Sequence, residues 1–514
     1  MSLQQHHYTA SSTVRSPLSG ESISSTPVFL LDLGSRTIKS GLYTAKTPHL
    51  TPSLVGTPKY PRCLPQVSPA SNQSRSVSAG RFVLGEAAAS RRGLLRLHRP
   101  IQHGGVITDW AAAQPLLLQS IQNALVPGSA SPVPRLPLGE GEEVIYSLVE
   151  SPFASRPQRA RLAELLFEGH GHEAVVSDDR QQERVGPRAA GVFCGVGPLL
   201  ALYATGQTTG LVVDVGDGAI STAAAVDGYV LPQCLQREVD GATGATVTSY
   251  LTRLLYQSGV LGPAAAYRRG SPPSLFGTAT NGFSSGAGAG TEQERELVYA
   301  IKEACCNVSA TPLLTKSPLA TACTSTAALP SLDELNSALI AAVQRTQQSG
   351  LCDGEGDTGA RPSRRFTLPD GSVAEVGAAE AAQASEVLFY PLLMGSEGRG
   401  VVDLVLDAVA AAPVELQPQL LGNVVVTGGA TCSAGFGCRF FKEMLQRVGG
   451  SSASHTSGAS NQRIRVSAPE HRAYAAWIGA SYVAHLSSFA SSMVVTRAVY
   501  EEEGEAALAK TVLT

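Results

Sequence analysis

Several things are scarce in this chain of 514 residues. Charged side chains make up 16% of it, and the formal net charge is −3. That balance leaves no basic footprint, so direct nucleic-acid binding is not expected. No long uncharged apolar run occurs, so no membrane-spanning helix is expected. The opening stretch, MSLQQHHYTASSTVRSPLSGESISSTP, has no basic segment followed by an apolar one. It reads as a disordered polar leader over 1–27 rather than a secretory signal. The nine cysteines are scattered, with no Cys-x-x-Cys spacing and one adjacent pair, Cys305-Cys306. They supply neither a disulfide framework nor a zinc site, and they fit a reducing compartment. The length suffices for one large bilobed core or roughly two to three domains.

What is present is a strand–Asp–x–Gly turn, and it occurs twice. In TTGLVVDVGDG (208–218), the apolar run Leu211-Val212-Val213 delivers Asp214 to a turn built on Gly216 and Gly218. In VFLLDLGSRTIKSG (28–41), an apolar strand delivers Asp32 to Gly34 and a polar tip. Glycine and small polar residues suit a tight hairpin whose amides point at phosphate. Ser35 adds a hydroxyl and Lys39 a cation. Asp32 and Asp214 suit a metal held mostly through water, as Mg²⁺ prefers. Taken alone, the first turn reads more readily as an ordinary hairpin with a solvated lysine, because short glycine-rich matches are weak. Two such turns far apart suggest two half-sites facing one nucleotide phosphate chain.

A third turn follows a buried run, Asn423 to Ala430, where Gly428-Gly429 would let backbone approach a base or phosphate. A plain β–α turn fits the same residues. Between these features lie loop-like insertions at 57–80, 176–190, 258–290 and 309–365, rich in Pro, Ser, Gly or charge. The last is long and holds one candidate helix at 332–344. Such a loop is usually functional or disordered. Helices are expected over 111–125, 159–168, 191–205, 241–257 and 294–308, the last with Leu297, Ile301, Ala304 and Val308 at helical spacing. Strands are expected near 142–149 and a hairpin over 366–377.

Eight segments, in order, resemble signature segments of actin and the actin-related proteins: VFLLDLGSRTIKSG, GEAAASRRGLLRLHRPIQHG, LYATGQTTGLVVDVGDG, DGYVLP, ERELVYAIKEACCNV, LPDGSVAEVG, VVVTGGAT and APEHRAYAAWIGAS. The resemblance implies an α/β, bilobed actin-like fold of two duplicated lobes around a nucleotide cleft. The first lobe would hold 28–204 and 476–514, with 52–98 its outer subdomain. The second would hold 205–475, with 241–390 its outer subdomain. It also implies ATP or ADP bound with Mg²⁺ or Ca²⁺. Carried over residue by residue, Gly34, Ser35 and Lys39 match the first phosphate hairpin and Asp32 its metal-side carboxylate. Asp214, Gly216, Asp217 and Gly218 match the second. Lys302 and Glu303 match residues on the adenine and ribose side, and Gly429 the nucleotide-side glycine. Gly244 matches another glycine, although ATGAT lacks the charged pair that follows it in actin.

Departures from the actin pattern bear on chemistry. Gly197 stands where actin uses a glutamine to hold the attacking water. Phosphoryl transfer depends chiefly on positioning, so slow or absent hydrolysis is expected and no residue is assigned as catalytic. Ser221 replaces a histidine after the second hairpin, Arg36 replaces a glycine in the first, and the aromatic near the adenine is lost around Ser433. His103 sits where actin has a methylatable histidine and receives no chemical role. The loop at 57–85 and the tail EEEGEAALAKTVLT differ from the regions that make filament contacts in actin. The resemblance therefore implies an ATP-binding structural protein with protein partners, a subunit of a cytoskeletal or chromatin-associated complex, cytoplasmic or nuclear. The alternative is a polymerising actin-type ATPase. A sugar-kinase reading lacks a carboxylate base beside an acceptor hydroxyl. An Hsp70-like reading would need a substrate domain that the short stretch after Leu486 does not offer.

Overall fold

The computed structural model describes residues 26–60, 82–125, 143–168, 188–261, 292–312, 364–368, 371, 373–450 and 464–510. Most of the expected loops, and the helix expected at 332–344, lie outside the described residues.

Two mixed sheets organise the rest. The first runs, strand by strand, Val495–Thr496, Arg188–Val196, Glu143–Glu150, Val28–Leu33, Thr37–Leu42 and His49–Pro52. The second runs Tyr229–Val230, Ile220–Val226, Gly210–Val215, Val424–Thr427 and Val466–Ser467. Each is built around one antiparallel hairpin whose first strand also pairs in parallel with a later strand. Val28–Leu33 pairs with Thr37–Leu42 and with Glu143–Glu150. Gly210–Val215 pairs with Ile220–Val226 and with Val424–Thr427. The central strands are covered on both faces, which is why they read as continuous apolar runs rather than alternating ones.

The register makes the repetition concrete. In the first hairpin Asp32 sits opposite Lys39, and in the second Asp214 sits opposite Ser221. The last pairs are Leu33 with Ile38 and Val215 with Ile220, so residues 34–37 and 216–219 form equivalent tips.

Two helices lie between the sheets. Gly197–Tyr203 and Ala475–Ala484 pack closely, and any Cβ at Gly479 would run into the carbonyl of Leu200. One face of this layer joins a core with Leu30, Ile145, Phe193 and Trp477. The other joins Val212, Ala225 and Val425 of the second sheet through Leu199 and Leu202. The helix Glu292–Cys305 buries Leu297, Val298 and Ile301 against Gly244–Gln257.

One expectation is corrected here. Residues 191–205 do not form a single helix. Arg188–Val196 is a strand of the first sheet, and only Gly197–Tyr203 is helical. The run GVFCGV is short and apolar, with a strand and a buried helix equally compatible with its pattern. Its parallel pairing with Glu143–Glu150 decides the matter. Smaller shifts affect loop edges: Val55–Pro58, Arg188–Val196 and Arg364–Thr367 carry strand into stretches read as loop.

Candidate functional site

The two hairpin tips meet. A Cβ at Gly218 would collide with the Ser35 hydroxyl and approach the His103 amide to 2.8 Å, so only glycine fits at that contact. The Ser35 hydroxyl is held by the Gly104 N–H at 2.9 Å, and the Ser53 hydroxyl donates to the Gly34 carbonyl at 2.6 Å. The second tip is tied to the start of the helix Gly244–Gln257. Gly244 and Ala245 donate their amides to the carbonyls of Gly216 and Asp217 at 3.0 and 2.9 Å.

A cleft of about 660 Å³ opens above these tips. It is lined by Asp32, Gly34, Ser35 and Lys39 from the first hairpin, and by Asp214, Gly216, Asp217 and Gly218 from the second. Gly244, Lys302, Glu303 and Gly429 complete the lining. All twelve residues singled out from the sequence therefore share one cavity, together with Arg36, Gly197, Ser221 and Ser433. His103 is not among the lining residues. Its backbone adopts φ 46°, and its carbonyl accepts from Arg237.

The charges are arranged in pairs. Lys39 Nζ donates to Asp32 Oδ2 at 2.8 Å. Burial alone pulls the Lys39 ammonium down; the charge and hydrogen bond of Asp32, with help from Asp214, leave it above its ordinary value. Asp214 is pushed up to about 6, chiefly by burial; Lys39 opposes the rise and Asp32 adds to it. Lys302 donates to the Gly244 carbonyl at 3.0 Å and to the Thr248 hydroxyl at 2.8 Å. Its ammonium is lowered mainly by burial; Asp217 opposes this, and Arg36 adds to it. Asp217 accepts from the Tyr299 hydroxyl at 2.5 Å and lies 3.9 Å from Lys302.

The third turn packs over Asp214. Gly428 has φ 96°, and a Cβ there would strike the Val215 carbonyl and the Asp214 carboxylate. Its amide donates to the Arg472 carbonyl at 3.0 Å, as does the Thr427 hydroxyl at 2.7 Å. Gly429, by contrast, has nothing within 4 Å of its Cβ position while it lines the cleft. Protein packing does not demand a glycine there, and a side chain at 429 would project into open space.

These features fit a phosphate chain and a divalent cation. Glycine-built tips from two sheets leave backbone exposed on opposite sides of one cavity. Among the described residues no three His, Cys, Asp or Glu side chains gather into a metal cage. Two carboxylates at the base of the tips instead suit a cation that keeps most of its water and takes phosphate oxygens. Gly197 begins its helix beside the Glu150 carbonyl, 3.3 Å from its Cβ position, and offers no side chain to orient a water.

Sequence reasoning missed Tyr299, Glu296 and Arg99. Tyr299 stands three residues before Lys302 and Glu296 three before Tyr299, so each neighbours the next along a stripe that winds around Glu292–Cys305. That spacing was the available signal. Arg99 had none, because its partners are remote in sequence.

With this geometry in view, the comparisons with known proteins are informative. The family described as Actin matches residues 23–182 and 186–512. A Neurospora crassa protein named "Actin-like protein" is 28% identical over 471 residues, covering 91% of this chain and 94% of that protein. The matched stretches carry both hairpins, both sheets and the helices between them, and so the chain belongs to the actin family.

Proposed function

We propose that the cleft binds a nucleoside di- or triphosphate, ATP or ADP, with Mg²⁺ or Ca²⁺, and that the chain serves as an actin-like structural protein with weak or absent hydrolysis. The observation that carries this reading is the meeting of two equivalent hairpin tips, each with its aspartate, in one cavity. Backbone amides of 34–36, 217 and 218 would receive the phosphates, the Gly216 amide being bonded to the Ala219 carbonyl. Asp32 and Asp214 would face the cation through its water shell. Lys302 and Glu303 would border the ribose and base, with Gly429 and Ser433 beneath. A bound divalent cation would neutralise phosphate charge and hold the chain in one geometry.

The hydrolysis part of the reading rests on Gly197 and Ser221. Gly197 has no side chain to fix a water, and the Ser221 hydroxyl is not a base that could deprotonate one. A protein that holds ATP without cleaving it quickly is suited to assembly with other proteins. We infer protein partners, actin-like or subunits of a cytoskeletal or chromatin-associated complex, in cytoplasm or nucleus. No described helix is long and apolar enough to cross a membrane. The lobes would divide as 28–204 with 476–514 against 205–475.

Calorimetry with ATP, with and without Mg²⁺, tests binding. Single-turnover assays with labelled ATP test cleavage. Absence of saturable, cation-dependent binding would overturn the first claim. Turnover and filament growth at actin-like rates would overturn the second and favour the polymerising ATPase. Native pull-down of a stable hetero-complex is the expected outcome for the partner claim.

A further inference from the structure

Beside the cleft, charges from its two sides meet, and of these only Arg36 also lines the cavity. Arg36 stands on the first hairpin tip. Its Nη1 donates to both carboxylate oxygens of Glu296, each at 2.8 Å. Arg99, next to the strand Leu95–His98, also donates to Glu296 and lies 3.5 Å from Glu292. Glu292 and Glu296 are on the helix Glu292–Cys305, which packs in the core of the second sheet. The Glu296 side chain is 5% exposed and that of Arg99 8%. A carboxylate so buried needs its cations, and two guanidinium groups from across the cleft provide them.

The contact reaches the phosphate turns on both sides. Arg99 Nη1 donates to the carbonyls of Ser35 and Arg36 at 3.2 and 3.3 Å, gripping the first tip by its backbone. The Arg36 guanidinium lies 4.2 Å over the Tyr299 ring, and the Tyr299 hydroxyl holds Asp217 of the second tip. A neutral bond adds to the bridge: Gln293 Nε2 donates to the Leu95 carbonyl at 2.6 Å.

We propose that Arg36, Arg99 and Glu296 form a latch across the cleft that sets how fast nucleotide enters and leaves. This rests on the nucleotide reading above. Widening the cavity on this side would separate the helix Glu292–Cys305 from the first tip. That movement breaks a two-arginine grip on a buried carboxylate and exposes all three charges together. The cost falls on opening, so the latch slows release and entry together. Because Arg36 is on the tip and Tyr299 touches Asp217, opening also loosens both turns.

The test uses the full chain with Glu296→Gln and Arg36→Gln. A fluorescent ATP analogue labelled on the ribose is bound with Mg²⁺ and chased with excess ATP. Release from either variant is expected to be at least tenfold faster, and the double variant no faster than the faster single one. Hydrogen exchange without nucleotide is followed in parallel over residues 34–37 and 292–299. Exchange is expected to rise at least tenfold in both segments. Unchanged release with unchanged exchange overturns the latch. If neither wild type nor variants bind the analogue, the nucleotide reading fails, and hydrogen exchange alone decides the latch. Should Glu296→Gln not fold, Arg36→Gln carries the test, since its side chain is 26% exposed on a tip.

Discussion

At the scale of single residues, Asp214 and Gly197 pull the cleft's chemistry in definite directions. Asp214 keeps its proton up to about pH 6 because it is buried, despite Lys39 nearby. Its folded value lies above the ordinary carboxylate one, so its contribution to stability is present below about pH 4 and lost as pH rises through about 6. A divalent cation with its phosphates favours the ionised form, so binding must expel that proton below pH 6. Cation-dependent nucleotide affinity is therefore expected to fall about tenfold between pH 7 and pH 5, following one proton. Calorimetry across that range, with proton release measured in buffers of different ionisation enthalpy, checks it. Affinity that does not change, or no proton released, would place the titrating group elsewhere. Gly197 has room for a side chain at modest strain: its Cβ would lie 3.3 Å from the Glu150 carbonyl and 3.5 Å from Val149. Gly197→Gln is expected to raise single-turnover hydrolysis by roughly 10- to 100-fold, since an amide positioned there can hold water for in-line attack. An unchanged rate with intact binding would mean that Ser221 or another departure limits cleavage.

At the scale of elements, the second lobe depends on a charge cluster that no local pattern announces. Arg439 on the helix Phe436–Gly450 is wholly buried, as is Glu386 of the 3₁₀ segment Ala384–Leu388. Arg439 pairs with Glu386 at 2.6 Å and with Glu443 at 2.7 Å, and donates to the carbonyls of Ser309 and Thr311. One guanidinium thus fastens a helix, a 3₁₀ turn and the segment that follows the helix Glu292–Cys305. Arg439→Leu takes the guanidinium away from two buried carboxylates and is expected to cost about 3–5 kcal/mol. Chemical denaturation reads the loss directly, and a change below about 1 kcal/mol would show that solvent reaches the cluster. The contrast with the hairpins explains what could be read in advance. Asp32-x-Gly34 and Asp214-x-Gly216 are legible because the chemistry is local: strand, acid and turn follow one another within a few residues. So is the helix around Lys302 and Glu303, whose apolar residues keep a helical period. The Arg36–Glu296 and Arg439–Glu386 pairs join residues distant in sequence, and only the fold brings them together. The strand Arg188–Val196 was misread for a related reason. Its identity comes from the neighbour it pairs with, not from its own residues.

At the scale of the whole molecule, the bilobed actin-like fold makes ligand and stability one question. The two sheets touch through the helices Gly197–Tyr203 and Ala475–Ala484 on one side and through the Arg36–Arg99–Glu296 cluster on the other. Between these contacts lies the cleft, and its walls draw on both sheets and on the helices packed against them. A ligand seated there as proposed would bond to each hairpin tip and would therefore couple the folding of one lobe to that of the other. Binding to the folded state alone adds RT ln(1 + [L]/Kd), about 2.7 kcal/mol when the ligand is at a hundred times its Kd. Heating the chain with saturating ATP and Mg²⁺ is expected to raise the melting temperature by several degrees and to sharpen unfolding towards one transition. Chelating the cation should remove most of the shift, because the two aspartates then face the phosphates without the charge that reconciles them. Scanning calorimetry distinguishes the outcomes. A shift confined to one of two separate transitions would mean that the ligand touches only one lobe, contrary to a shared site. A shift that survives chelation would mean that Lys39 and Lys302 hold the phosphates without a metal, and that Asp32 serves only its ion pair with Lys39.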